Sequence, residues 1–265
     1  MNFSTLRLLH RRAGFTLIEL LVVVGIMVMM AALLSPAITS LRGSGDETKA
    51  TFDISGAIQV ARTYAVANNT YTWIGFFEED GSRYSTTPAS GGVGRIVLAT
   101  VASKDGTVAY NPTTLASVTG TAAISGSSLI PVNPLIKISN VHLKTAIPGD
   151  SVFPMGTGSG QGFPGRPQLT ATYCQIGDQP SSSAKACLFQ YPPGSTTAQY
   201  SFSKAIQFNP RGEASLIVNN AAWPPSQTVE IGLQRVHGNA IAAADLNVAA
   251  IQITGIAGNV EIYRR

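Results

Sequence analysis

From Phe15 to Leu34 the chain reads FTLIELLVVVGIMVMMAALL, an apolar run of twenty residues broken only by Thr16, Glu19 and Gly25. As a helix rising 1.5 Å per residue it would span about 30 Å, the thickness of a bilayer's hydrocarbon core. Its apolar positions follow no 3.6-residue period. A helix greasy all round suits a membrane span or a fully buried position, not the surface of a globular domain. A short polar leader precedes the run, with Arg11 and Arg12 at the membrane edge and no acidic residue. The positive-inside tendency keeps that end cytoplasmic and places the bulk of the chain across the membrane. A removed secretory signal fits less well, because its apolar core is about 7–15 residues long and ends in a small-residue cleavage site. Here the run is too long, and Ala31-Ala32 and Ser35-Pro36-Ala37 only approach such a site. The small residue stands before the run instead, at Gly14.

Composition narrows the remainder. The chain has 265 residues, of which 12% are charged and 45% apolar. That charge content is about half the usual quarter for soluble chains, which argues against disorder, a coiled coil or a strongly polyanion-binding protein. The net charge is +4, and Arg7, Arg11 and Arg12 supply three of those charges from the first dozen residues. The rest is near neutral, so a nucleic-acid partner is not expected. Two cysteines and three histidines are too few for a multi-site metal protein, and neither a metal nor another cofactor is expected.

Glu19 is the anomaly. A carboxylate inside a transmembrane helix costs about 2.5–3.5 kcal/mol on insertion scales, so it normally has a partner. Either Glu19 reaches the headgroups, or a cation stands at its depth. A cut between Gly14 and Phe15 would create such a cation, an α-amino group four residues from Glu19. In a bundle of such helices, Glu19 of one chain would neutralise the Phe15 amine of its neighbour.

The segment Arg12-Ala13-Gly14-Phe15-Thr16-Leu17-Ile18-Glu19-Leu20-Leu21-Val22 resembles the type III signal of type IV pilins and type II secretion pseudopilins. The resemblance implies that a prepilin peptidase cuts after Gly14 on the cytoplasmic side and methylates the new N-terminal Phe15. It also implies that Glu19, fifth in the mature chain, guides packing into a helical filament. Pro36 stands where many helices of that family carry a kinking proline. The implied partners are prepilin peptidase, other pseudopilins or pilins of the filament, an inner-membrane assembly platform and membrane lipid.

Beyond the span, Pro36 removes a backbone donor and should bend the helix. Gly43 and Gly45 form a second weak point, each costing about 1 kcal/mol relative to Ala. Ile54, Ala57, Ile58, Ala61, Tyr64 and Ala65 then follow i, i+3, i+4 spacing, with Ser44 or Asp46 as a cap and Asn68-Asn69 as a stop. The expected layout is a leader over 1–14, a helix over 15–69 with its membrane segment at 15–35, and a β-rich head over 70–265. Strands are expected at 71–77, 95–101, 135–143, 200–208, 215–218, 229–235, 249–253 and 260–263, with a turn at Glu78-Glu79-Asp80-Gly81. The fold class is therefore α+β: a long helix packed on an antiparallel sheet, as in pilins.

Three later patches refine the resemblance. Ala61-Arg62 with the residues to Asn69, Ile206 to Ala214 and Ile251 to Ile262 resemble, in order, the helix end, the strand–turn–strand and the closing hairpin of GspH/FimT-like minor pseudopilins. The stretch 81–199 departs from that pattern and reads as a loop-rich insertion, with Gly- and Ser-rich segments. Cys174 and Cys187 lie in it, and the periplasm would permit a bridge between them, with two reduced thiols as the alternative. Gly160-Gln161-Gly162-Phe163-Pro164-Gly165 fits G-x-G-x-x-G, but Pro164 and Pro167 deny it the helix that a dinucleotide site requires. No catalytic set can be argued from His10, His142 and His237, and Arg264 and Arg265 are at most a weak DNA contact. The sequence thus points to a non-enzymatic minor subunit of a type II secretion pseudopilus, single-pass in a bacterial inner membrane with its head in the periplasm. The alternative is a minor type IV pilin in pilus assembly, adhesion or DNA uptake.

Overall fold

Helix α1 runs without interruption over Leu17–Ala67. The computed structural model describes residues 16–111, 122–147, 150, 152–155, 163, 165–167, 169, 174–177, 187–218, 221–225, 228–241 and 246–265, with 34–44 given by backbone alone. The weak point expected near Gly43 is not a break, since the backbone stays helical through Pro36, Gly43 and Gly45. Further along, burial of Ala50, Ile54, Ala57, Ile58, Ala61 and Ala65 offsets the roughly 1 kcal/mol that each glycine costs. No cap is needed at Asp46, which instead accepts a hydrogen bond from Asn140 Nδ2 at 2.9 Å. The helix stops where expected. Asn69 takes a left-handed φ of 49° and Thr70 N–H returns to Ala65 C=O at 3.0 Å, the usual way a helix satisfies its last carbonyls.

By its contacts the chain divides into two units, Met1–Arg42 and Gly43–Arg265. In the first, every described side chain from Thr16 to Leu33 is exposed. The second is the head.

The head holds two large sheets rather than the one expected. In the seven-stranded sheet, β1 (Thr72–Asp80) lies between β2 (Gly94–Ser103) and β9 (Lys204–Phe208). The sheet continues through β10 (Ala214–Val218) to β11 (Ala221–Trp223), and β3 (Leu129–Pro131) and β4 (Ile136–Ser139) pair with β2. In the six-stranded sheet, β12 (Thr228–His237) pairs with β13 (Ala240–Ile241), β14 (Val248–Thr254), β5 (Val141–Lys144) and, in parallel, β6 (Gln175–Ile176). Strand β15 (Val260–Arg264) closes this sheet on β14, while β7 (Phe189–Tyr191) and β8 (Tyr200–Phe202) make a separate pair.

Two expected strands are split. The run 135–143 breaks at Asn140, whose φ of 65° ends β4 and redirects the chain into the other sheet as β5. The run 200–208 breaks at Ser203, between β8 and β9.

Strand β1 explains the layering. Ile74 and Phe76 face a core shared by α1 and both large sheets. Trp73 and Phe77 face a second core, built with Phe189, Tyr200 and Phe202. Both faces of β1 are buried, which is why 71–77 reads as a continuous aromatic and β-branched run. The stretch 81–199 is accordingly more than loop. It supplies β2, paired with β1 from Thr72↔Ala102 to Asp80↔Gly94, and most of the second core. The turn expected at 78–81 is displaced, since β1 extends through Asp80.

Candidate assembly site

The first helical turn is capped by its own sequence. Thr16 N–H donates to Glu19 Oε2 at 3.0 Å, Thr16 Oγ1 donates to the same oxygen at 2.8 Å, and Glu19 N–H donates to Thr16 Oγ1 at 3.3 Å. This reciprocal arrangement is a capping box, which satisfies amide donors that a helix start leaves unpaired. Thr-x-x-Glu was visible in the sequence and is the signal that the reading of Glu19 as a lone membrane charge passed over. Glu19 thus has an intrachain partner before any neighbour is considered. A carboxylate in the first turn also faces the positive end of the helix dipole.

Downstream of that cap, Leu17, Ile18, Leu20, Leu21 and Met29 are each at least 60% exposed, too much apolar surface to leave in water. Among the described residues no helix is long and apolar enough to cross a membrane. The described apolar side chains run only from Leu17 to Leu33, about 25 Å of helix. Gly14 and Phe15, the expected cleavage and methylation residues, lie outside the described residues, as does the side chain of Pro36.

The head gathers the three patches of the sequence at one place. Arg62 of α1 lies over the turns that follow β9 and β14. Gly212 (φ 81°) and Gly258 (φ 63°) form those turns, and a Cβ on Gly258 would stand 2.7 Å from Arg62 Nε and 2.3 Å from Gly212 C=O. Glycine supplies both the positive φ and the clearance. Ala214 N–H donates to Gly255 C=O at 2.6 Å, which ties the two hairpins together.

Acidic side chains that resemble catalytic candidates are spent on structure. Glu78 and Glu79 are both buried, not solvated at a hairpin tip. Glu78 Oε1 lies 2.8 Å from His142 Nδ1 and accepts Gly94 N–H at 3.1 Å, linking the two large sheets. Glu79 pairs with Arg95 at 3.1 Å and accepts Ser85 Oγ–H at 2.7 Å. Glu230, fully buried, receives Arg166 through Nε at 2.7 Å and Nη2 at 2.6 Å, with Gln252 Nε2 at 2.7 Å. Each of these three buried carboxylates has a partner, as burial demands. Among the described residues no group of three or more His, Cys, Asp or Glu could hold a metal ion.

The remaining sequence candidates are scattered. Cys174 and Cys187 are buried thiols not joined in a disulfide, so the structure holds the reduced alternative considered from the sequence. Cys174 precedes β6 of the six-stranded sheet, whereas Cys187 bridges Ala122 beside the second core. Burial pushes both thiols above the ordinary range. Arg264 and Arg265 are tied down: Arg264 Nη1 donates to Thr48 Oγ1 at 3.3 Å, and Arg265 Nη1 donates to Val152 C=O at 3.0 Å.

Residues 9–35 match the prokaryotic N-terminal methylation motif. Over 59 residues the chain is 39% identical to the type IV wide pilus major component PilA4 of Thermus thermophilus. That match covers 22% of this chain and 45% of the relative, so the chain spans less than half the length of the curated relative it matches. No solved structure matches. Over this N-terminal segment the chain is therefore similar to prepilin-type proteins, among them a type IV pilin.

Proposed function

We propose that the chain is a structural, non-enzymatic subunit of a prepilin-type filament, specifically a minor, GspH-like component of a type II secretion pseudopilus. The observation that carries the filament reading is the methylation motif over 9–35 leading into an exposed apolar helix that begins at the Thr16–Glu19 cap. Prepilin peptidase cuts between Gly14 and Phe15 and methylates Phe15. The precursor spans the inner membrane once through 15–35, with its head in the periplasm, before an assembly platform adds it to the fibre. Pro36 is the point at which the helix bends during that transfer. Lipid is as apolar as a neighbouring helix, so packing and polar pairing supply the specificity of assembly.

Cleavage places a cation one residue before Thr16, at the positive end of the α1 dipole, where it is unfavourable. The Glu19 carboxylate offsets it, within the chain or across to a neighbour. Convergence of the Arg62, Gly212 and Gly258 patches in the head supports the GspH/FimT-like assignment. A second reading, a minor type IV pilin, is favoured by the pilus relative.

N-terminal mass spectrometry of the native chain, with and without the peptidase, tests the proposal. The mature chain is expected to begin at methylated Phe15, and a chain still starting at Met1 would sink it. Glu19→Gln separates capping from charge, because glutamine also completes a capping box. It is expected to be cleaved and to fold, yet to be missing from sheared filaments. Normal incorporation of that variant would remove the charge from the account. Loss of secretion without loss of surface pili on deleting the gene selects the pseudopilus over the pilus.

A further inference from the structure

On α1, Phe52, Gly56 and Val60 stand four residues apart and therefore share one helix face. Phe52 is 62% and Val60 46% exposed. A Cβ at Gly56 would meet nothing within 4 Å, so the glycine leaves an open notch between two apolar side chains. Asn133 and Ile136 form the opposite wall of a trough of about 380 Å³. Only two of its lining residues are polar, Asp53 and Asn133. Asp53 commits Oδ2 to Lys49 Nζ at 2.6 Å, and its Oδ1 takes no hydrogen bond among the described residues. Asn133 Oδ1 is sealed from solvent with no partner among the described residues, an omission that is unfavourable for a buried acceptor.

We propose that this trough receives an arginine side chain from a neighbouring subunit, an inference that rests on the filament reading above. The lining carries two unspent acceptors and no cation. A guanidinium offers five donors in a planar fork, is weakly hydrated and follows an apolar stem. That stem suits the apolar walls of Phe52, Ala57, Val60 and Ile136, and the fork would pair with Asp53 Oδ1 at the rim and with Asn133 Oδ1 once that amide turns toward the trough. An aromatic face also attracts a guanidinium, and Arg264 of the same chain already stands 5.8 Å from the centre of the Phe52 ring. A lysine ammonium holds its water more tightly and lacks the fork. A purely apolar occupant would leave Asn133 Oδ1 unpaired and bury Asp53 beside it. Suitable side chains exist on the chain itself: Arg83 and Arg211 are 82% and 84% exposed and held only by pairings of 3.5 and 3.9 Å.

The test titrates N-acetyl-L-arginine amide into the full chain in detergent micelles, reading the side-chain amide signals of Asn133 by NMR. A saturable shift at millimolar concentration is expected, with the leucine analogue binding at least about fivefold more weakly. Asp53→Asn should weaken the arginine probe by about tenfold, as loss of a charge-assisted bond does. Gly56→Leu, which fills the notch, should abolish binding. Should that variant unfold, Asp53→Asn decides alone, since its side chain lies at the surface. Equal or tighter binding of the leucine analogue overturns the proposal in favour of an apolar occupant. A shift that never saturates, or one that is unchanged in Asp53→Asn, overturns it too. A chain processed to Phe15 that ignores the probe refutes this inference alone. A chain that binds the probe yet begins at Met1 refutes the filament reading alone.

Discussion

Thr16 and Glu19 illustrate how a single side chain can answer two demands. Glu19 closes a capping box with Thr16 and, under the proposed processing, would also answer the amine that cleavage creates. A second local device sits at Asp105. Thr107 Oγ1 donates to Asp105 Oδ1 at 2.7 Å, Thr107 N–H at 3.0 Å and Ser103 Oγ at 2.8 Å. The Thr107 hydroxyl, followed by the other two donors, holds the carboxyl down at about 2. Because the folded value lies below that of an unfolded aspartate, about 3.9, its contribution to stability is complete above that range and disappears as pH falls toward 2. The Asp105 carboxyl carbon signal should therefore titrate near 2 by NMR, and Thr107→Val should move it upward. A midpoint unchanged by that substitution would show the hydroxyl to be irrelevant. Both devices are written in short sequence spacings, Thr-x-x-Glu and Asp-x-Thr.

At the scale of elements, the junctions are set by buried charges. Arg166 grips Glu230 of β12 through two donors and lies 4.6 Å from the Phe153 ring centre and 5.0 Å from that of Phe163. Both partners of the pair are almost fully buried. Arg166→Met would leave the carboxylate with Gln252 alone, and breaking a buried pair from one side costs about 3–5 kcal/mol. The urea midpoint should fall accordingly. Adding Glu230→Leu should recover part of the loss, because the orphaned charge then disappears. No recovery in the double variant would mean that Arg166 acts mainly through its packing on the two rings. Nothing in sequence spacing joins residue 166 to residue 230, so this pair was not legible beforehand.

Across the head, Cys174 stands just before β6 of the six-stranded sheet and Cys187 just before β7 of the separate pair. Both thiols should resist a small alkylating reagent in the native head and become reactive together on unfolding, since burial raises both and the thiolate is the reactive form. Intact mass after denaturing alkylation without reductant should show two labels per chain. A single unlabelled species would mean that the chain carries a Cys174–Cys187 bridge after all. The described apolar side chains of Leu17–Leu33 are exposed, whereas Gly43–Arg265 closes a core of its own.

The sequence by itself determined the N-terminal half of this account, because its signals are local. An apolar run, a glycine before a phenylalanine, an i, i+3, i+4 stripe and the stop at Asn68-Asn69 each need only neighbouring residues to be read. Most strands were legible for the same reason, through β-branched and aromatic runs between glycine turns. The tertiary structure alone decided that there are two sheets, that β2 from the presumed insertion pairs along β1, and that Glu78 meets His142 between the sheets. It also brought Arg62 onto Gly212 and Gly258, and Gly56 opposite Asn133. Those contacts join residues tens to hundreds of positions apart, and their energy comes from desolvation and pairing that exist only once the layers have closed.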